Sequence, residues 1–264
     1  MIKLGIAGAA GRMGQTIIVS SKDFGDIEVD VLFEHDKHPL IGSQIQLNNR
    51  KVTVGKASEV DFSSCNAVID FTTPESTIEN LRRSSKSGTA FVIGTTGFSE
   101  EQLEFIRSES KKRPVLLAPN MSLGANLMFA LAKKAAQILG ESYNPEIVEA
   151  HHKHKKDAPS GTAKRLGQAI AEGLGWDYDE VTKHGRNGIT GERPIKEIGM
   201  HVIRGGEIVG DHQALFAGIG ENLEIRHTAF SREAFARGAL RAAQFVNKHS
   251  SGQFDMFDVL GLEL

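Results

Sequence analysis

Over the first 120 residues, short apolar runs alternate with longer amphipathic stretches. The runs Ile2 to Ala7, Ile27 to Phe33, Ala67 to Phe71, Ala90 to Ile93 and Val115 to Ala118 hold few polar positions, as strands covered on both faces of a parallel sheet require. The stretches between them predict helices with readable starts. Thr73 followed by Pro74 reads as an N-cap with proline at the first helical position, and Ser99 with Gln102 three residues on reads as a capping box. Strands alternating with crossover helices predict an α/β fold whose first part is a Rossmann-like dinucleotide-binding domain.

After Pro119 the pattern changes. A long helix is predicted from Leu123 to Leu139, then a strand at Glu146 to Ala150, a helix from Thr162 to about Gly173 and an irregular stretch rich in glycine and charge. Three strands then follow in near succession, Ile198 to Arg204, His212 to Phe216 and Leu223 to Phe230. Consecutive strands without intervening helices predict an α+β domain with a mixed sheet. In the last helix Ser231 is the expected N-cap, and Phe235, Leu240, Ala243 and Val246 form its apolar stripe.

Composition narrows the class. The 264 residues carry 31 Lys+Arg against 33 Asp+Glu, are 40% hydrophobic and have a net charge of −2, which fits a soluble globular protein and excludes collagen-like or disordered chains. Such a balance predicts neither nucleic acid nor membrane among the partners. The longest apolar helix is broken by Lys133 and Lys134. The N-terminal run resembles a secretory leader only superficially, because it ends in spaced glycines and Arg12. A single cysteine, Cys65, rules out an internal disulfide or a cysteine zinc site, and a reducing cytoplasmic location is expected.

The chemistry concentrates in two places. Gly8, Gly11 and Gly14 follow the first strand and open a helix beginning at Arg12, with Glu34 closing the second strand. Glycine spacing alone is weak, but this context is the dinucleotide fingerprint: glycines let the backbone approach a pyrophosphate, the helix N-terminus supplies N–H groups, and the acid takes ribose hydroxyls. Glu34 favours NADH, since a carboxylate repels a 2′-phosphate, while His35, Lys37, His38 and Arg12 leave room for NADPH. Two hydroxyl-rich loops, Phe71 to Pro74 and Gly94 to Gly97, follow strand ends where such sheets bind ligands.

The second place is His151-His152-Lys153-His154-Lys155-Lys156, six cationic or cationisable residues in a near-neutral chain. A solvated loop, a metal site and an anion recess compete, and adjacent lysines without an acidic ligand disfavour metal. Asp157 to Thr162 then leads into a helix, where hydroxyls and free N–H groups make an anion seat. Hydride transfer to a small dicarboxylate is the inferred reaction, with one histidine and one lysine left to handle protons.

At this point the chain resembles the dihydrodipicolinate reductase family. The resemblance rests on GAAGRMG at Gly8 to Gly14, DFTTPE at Asp70 to Glu75, GTTGF at Gly94 to Phe98, APNMSLGAN at Ala118 to Asn126 and EAHHKHKKDAPSGTA at Glu149 to Ala163, and continues to Ile225. It implies NAD(P)H-dependent reduction of 4-hydroxy-tetrahydrodipicolinate to tetrahydrodipicolinate in lysine and diaminopimelate biosynthesis. By resemblance His151 and Lys155 are catalytic, and His152, Gly161 and Thr162, with Ser160 beside them, contact the substrate. The cofactor falls on Gly8, Ala9, Ala10, Gly11, Arg12, Met13, Glu34, Gly94, Thr95, Thr96, Ala118, Pro119, Asn120 and Met121. His35 stands where members that favour NADPH often carry arginine, and Thr73 where some relatives carry a basic residue, which leans the preference toward NADH. The resemblance further implies a dinucleotide-binding domain of residues 1–121 and 232–264, a substrate and oligomerisation domain of 122–231, and a homotetramer. Another two-domain NAD(P) oxidoreductase and a non-catalytic NAD(H) sensor are the alternatives. Against the thioester-forming class, Cys65 precedes its strand, away from the ligand-binding end of the sheet.

Overall fold

The computed structural model describes residues 1–47 and 50–262, so the end of the expected dinucleotide-binding domain, 263–264, lies outside the described residues. The described residues divide into two compact units, one formed by Met1–Leu123 with residues 232–262, the other by Gly124–Ser231.

In the first unit the chain runs β1 (Ile2–Ala7), α1 (Arg12–Ser20), β2 (Ile27–Glu34), β3 (Gln44–Leu47), β4 (Arg50–Lys56), β5 (Ala67–Asp70), α2 (Pro74–Arg83), β6 (Ala90–Ile93), α3 (Glu100–Ser110) and β7 (Pro114–Leu117). The other unit contains most of α4 (Leu123–Leu139), then β8 (Asn144–His151), α5 (Gly161–Leu174), α6 (Tyr178–Val181), β9 (Thr182–His184), β10 (Ile198–Arg204), β11 (Gly210–Ala217) and β12 (Asn222–Ala229). The chain ends with α7 (Glu233–Val246), β13 (Gly252–Phe254) and α8 (Met256–Leu260), back in the first unit.

The first sheet has the order β13-β7-β6-β5-β1-β2-β4-β3, parallel throughout except for the β3–β4 hairpin. Strand order reverses between β1 and β5, which puts the ligand crevice of a doubly wound sheet at the carboxyl ends of these strands. Both expected helix starts are present. Thr73 caps α2 by accepting from the Ser76 N–H, and Ser99 and Gln102 form the reciprocal capping box of α3. The sheet is wider than the five strands the apolar runs predict, because the hairpin and β13 add to its edges. β13 is three residues long and the hairpin strands are half polar, so they lack the continuous apolar signal of central strands.

The start of α7 corrects another expectation. Arg232, not Ser231, is its N-cap and is already helical, and the Phe235 and Ala236 N–H groups bond to its carbonyl without a side-chain cap. The expected stripe is realised: Leu240, Ala243 and Val246 are fully buried and Phe235 packs on the same core. A methyl on Gly238 would lie 1.7 Å from the Met121 carbonyl oxygen, so this helix approaches the end of the first strand–helix series backbone to backbone.

In the second unit the sheet order is β12-β11-β8-β10-β9; β8, β9 and β10 run parallel and β11 antiparallel to its neighbours, giving the expected mixed sheet. On β8, Ile147, Glu149 and His151 are buried while Glu146, Val148 and Ala150 are half-buried, the two-residue alternation of a strand with unlike faces. Among the described residues no helix is long and apolar enough to cross a membrane.

Candidate active site

In the first unit, Gly8 turns the chain out of β1 with φ +67°, and its N–H donates to the Phe33 carbonyl at 3.0 Å. A methyl on Gly14 would stand 2.2 Å from the Gly8 carbonyl oxygen, so glycine there lets α1 start directly against the loop. Gly11 caps α1 without a side-chain bond, leaving the first-turn N–H groups to face a ligand. Glu34 ends β2 with its carboxylate held toward this loop by the Ala10 N–H at 2.9 Å. Together they border a cleft of about 720 Å³ that includes Gly8, Ala10, Gly11, Glu34, His35 and Thr73. A glycine cradle that side chains would fill, a helix start and an acid lining the same cleft fit a dinucleotide.

The other expected nucleotide residues divide by exposure. Arg12, Thr96 and Pro119 are exposed and Gly94 and Asn120 partly so, whereas Ala9, Ala118 and Met121 turn their side chains into the core, where only their backbone is left for a ligand. Met13 packs partly against the same core. Thr95 is buried in a network the sequence reading missed, around the carboxylate of Asp70. Asp70, fully buried, accepts from the Thr72 N–H at 3.0 Å, the Thr72 hydroxyl at 2.6 Å, Thr77 at 3.1 Å and Asn80 at 2.9 Å. Thr95 in turn accepts from the Thr72 N–H at 3.1 Å, and its hydroxyl donates toward Asp70 at 3.4 Å, so one carboxylate fixes both hydroxyl-rich loops. Its motif position at a strand end was the available signal.

In the second unit the centre is Glu149, also fully buried. His151 Nδ1 donates to Glu149 Oε2 at 2.6 Å, because a carboxylate can only accept; this fixes the tautomer and leaves Nε2 to titrate. Arg204, opposite His151 in the β10–β8 register, donates to both carboxylate oxygens at 2.9 Å each, and the Ser160 N–H donates to Oε1 at 3.0 Å. Burial opposes ionisation of Glu149, but the Arg204, His151 and Ser160 bonds hold its pKa below the usual carboxylate value. Burial also holds the His151 pKa below that of an ordinary histidine, against the pull of Glu149, with Lys155 and Arg204 adding to the lowering.

Ser160 caps α5, its hydroxyl accepting from the Ala163 N–H at 3.1 Å and exchanging a bond with His212 Nε2 at 3.1 Å. Ser160 has 2% of its surface exposed, and its N–H and hydroxyl are both engaged within the protein, so it fixes the start of α5 at the expected seat. Gly161 and Thr162, the first residues of α5, lie at the surface of that seat, and the Cβ direction of Gly161 is open. His152 is half-buried, with Nδ1 buried and without a hydrogen-bond partner among the described residues. Lys155 pairs with Asp157 at 2.9 Å. His212 lies edge-on to His151 with ring centroids 5.0 Å apart, and burial, reinforced by the neighbouring His151 charge, pushes its pKa down to about 4. The sequence signal for Glu149 was its two-residue spacing from His151; Arg204 arrives by strand pairing and carried none, and His212 carried only its place in the stretch Ile208 to His212 of the resemblance. Cys65 is buried at the opposite end of β5, its thiol pushed up to about 12 by burial.

A Rossmann-like unit with a glycine cradle and an acid at the end of its second strand, joined in one chain to a mixed-sheet unit with a buried histidine–carboxylate pair beside a helix start, is the arrangement of a dinucleotide-dependent oxidoreductase. The chain belongs to the dihydrodipicolinate reductase family: residues 2–121 match the N-terminal and residues 124–260 the C-terminal model of that family. It is 46% identical over 266 residues to the 4-hydroxy-tetrahydrodipicolinate reductase of Geobacter metallireducens, covering 99% of this chain and 100% of that protein. To the enzyme of the same name from Nitrosomonas europaea it is 47% identical, covering 99% and 98%. A dipicolinate-bound dihydrodipicolinate reductase from Paenisporosarcina sp. TG-14 superposes with a TM-score of 0.73 at 26% identity, covering 98% of each chain.

Proposed function

We propose that this chain reduces 4-hydroxy-tetrahydrodipicolinate to tetrahydrodipicolinate with NAD(P)H, in lysine and diaminopimelate biosynthesis. The observation that carries the reading within the fold is the His151–Glu149 pair set beside the start of α5. Loss of water from the hydroxylated ring leaves a double bond conjugated with the imine. Reduced nicotinamide, when bound, supplies a hydride to the carbon that bore the hydroxyl. The electron pair displaced toward the imine nitrogen then returns as the neighbouring ring carbon takes up a proton.

His151 is the proton donor: Glu149 holds Nδ1–H, so Nε2 is the nitrogen that carries the transferable proton. Lys155 leaves Asp157 for the ligand and steadies the negative charge that hydride addition builds. The N–H groups of Gly161 and Thr162 at the start of α5, with His152, take the carboxylates. In the first unit the glycine loop takes the pyrophosphate, Glu34 the adenosine ribose, and the Asp70-bound loops the nicotinamide side.

NADH is favoured over NADPH because the Glu34 carboxylate borders the ribose position and His35 offers no bidentate phosphate donor. We further assign the protein to the cytoplasm and to a homotetramer built through the mixed sheets. The experiment is a two-cofactor assay on enzymatically generated 4-hydroxy-tetrahydrodipicolinate, following reduced-nicotinamide absorbance. Consumption of NADH at a kcat/KM at least equal to that for NADPH is expected. No consumption of either nucleotide overturns the activity, and a strong NADPH preference overturns only the cofactor assignment.

A further inference from the structure

Arg204 is bound into the centre of the proposed proton-donating site without belonging to the basic run that marks it. Its two terminal nitrogens bond to both oxygens of Glu149, and Nη2 also bonds to the Asp157 carbonyl at 2.7 Å, tying the carboxylate to the loop that leads into the anion seat. Glu149 is thereby divided between a permanent cation, one backbone N–H and one imidazole N–H. Divided in this way, it can give His151 less than a full counter-charge.

We propose that Arg204 is a positioning residue that sets the acid strength of His151 by sharing its carboxylate, while holding that carboxylate in one place. The inference rests on the reading of His151 as proton donor. The groups that face His151 are Glu149 on its own strand, Lys155 in the loop after it, Arg204 on β10 and His212 on β11. Of these, Glu149 favours the imidazolium, whereas Arg204 and Lys155 disfavour it and burial keeps His212 neutral. Removing Arg204 therefore strengthens the hold of Glu149 on the charged ring. The proton-donor limb, where rate falls as pH rises because His151 loses its proton, moves to higher pH. Neutralising Glu149 moves it the other way.

The test is the pH dependence of kcat in the wild type, His151→Gln, Arg204→Gln, Glu149→Gln and Arg204→Lys. The limb should vanish in His151→Gln, rise by about one pH unit in Arg204→Gln and fall by about one in Glu149→Gln. Arg204→Lys should return it to near the wild-type position, since charge rather than fork geometry sets it. A limb that vanishes in His151→Gln but stays put in Arg204→Gln, with rate lowered uniformly, overturns the role of Arg204 and leaves that of His151 intact. Persistence of the limb in His151→Gln overturns the assignment of His151 and the inference with it. If Arg204→Gln does not fold, Arg204→Met, which keeps the apolar stem and removes the charge, is read for the same upward shift, and an unmoved limb there overturns the role of Arg204.

Discussion

Glu146 and Glu149 stand on opposite faces of the same strand, and each is gripped by an arginine fork and a histidine. Glu146 takes Arg186 through both terminal nitrogens, Arg193 Nε at 2.9 Å and His201 Nε2 at 2.8 Å, tying the glycine-rich 185–197 loop to the sheet. Burial opposes its ionisation, yet the Arg186, Arg193 and His201 bonds bring its pKa to about 2. At Glu149 a backbone N–H stands where Glu146 has its second arginine. Surplus cation makes an anchor, while a carboxylate with one cation keeps capacity to hold and orient a neighbouring imidazole. Even the neighbouring strands differ in kind: a methyl on Gly199 would fall 1.7 Å from Glu146 Oε2, whereas one on Gly210 would come within 3.3 Å of His151 Nε2.

The strongest way to break this contrast is Glu146→Ala, which strands two arginines around a lost partner. It should cost about 3 kcal/mol or more of unfolding free energy, measured by denaturant titration, with kcat changed far less. The depressed pKa of Glu146 gives the sign of a companion effect. Its stabilisation is complete above the ordinary carboxylate value and is lost as pH falls from about 4.5 toward 2. The converse substitution, His151→Gln, should lower kcat by roughly 10²-fold while leaving the midpoint of thermal unfolding nearly unchanged.

His212 sharpens the comparison through pH. Its folded-state pKa of about 4 lies below the ordinary histidine value of 6.5, so the unfolded chain takes up a proton first and stability falls as pH drops from 6.5 toward 4. In His212→Gln that part of the stability profile should flatten, leaving the lower Glu146 window in place; an unaltered slope across pH 4 to 6.5 would disprove it. The smallest effect is expected from Gly210→Ala, whose methyl must displace the His151 ring by a few tenths of an ångström. A several-fold loss of kcat at nearly constant KM for the nucleotide should result, read in steady-state kinetics.

What was legible in the sequence follows from how locally each feature is encoded. The glycine loop, Glu34, the caps of α2 and α3 and the basic run before α5 are each set by residues within a few turns of one another, and each stands where its pattern predicted. The strands β9 and β13 are three residues long, too short to show a period. Arg204 and His212 join His151 through register between strands, a relation that no local pattern holds. Ser160 shows the same limit from the other side. Its place in a substrate-like motif was readable, but its burial depends on Glu149 and His212 taking both its polar groups.

The discontinuous first unit has a consequence for synthesis. Ala236, Ala239, Leu240, Ala243 and Val246 on α7 have no exposed surface and belong to the same apolar cluster as β1 and β5, yet they are made after the whole second unit. On the ribosome, the first 123 residues must wait several seconds with that apolar surface uncovered. The second unit, whose residues are contiguous, can complete its sheet during this interval. Chains arrested before Val246 should therefore display a folded second unit attached to an adhesive, chaperone-dependent first one, with the docking of α7 a late step of biogenesis.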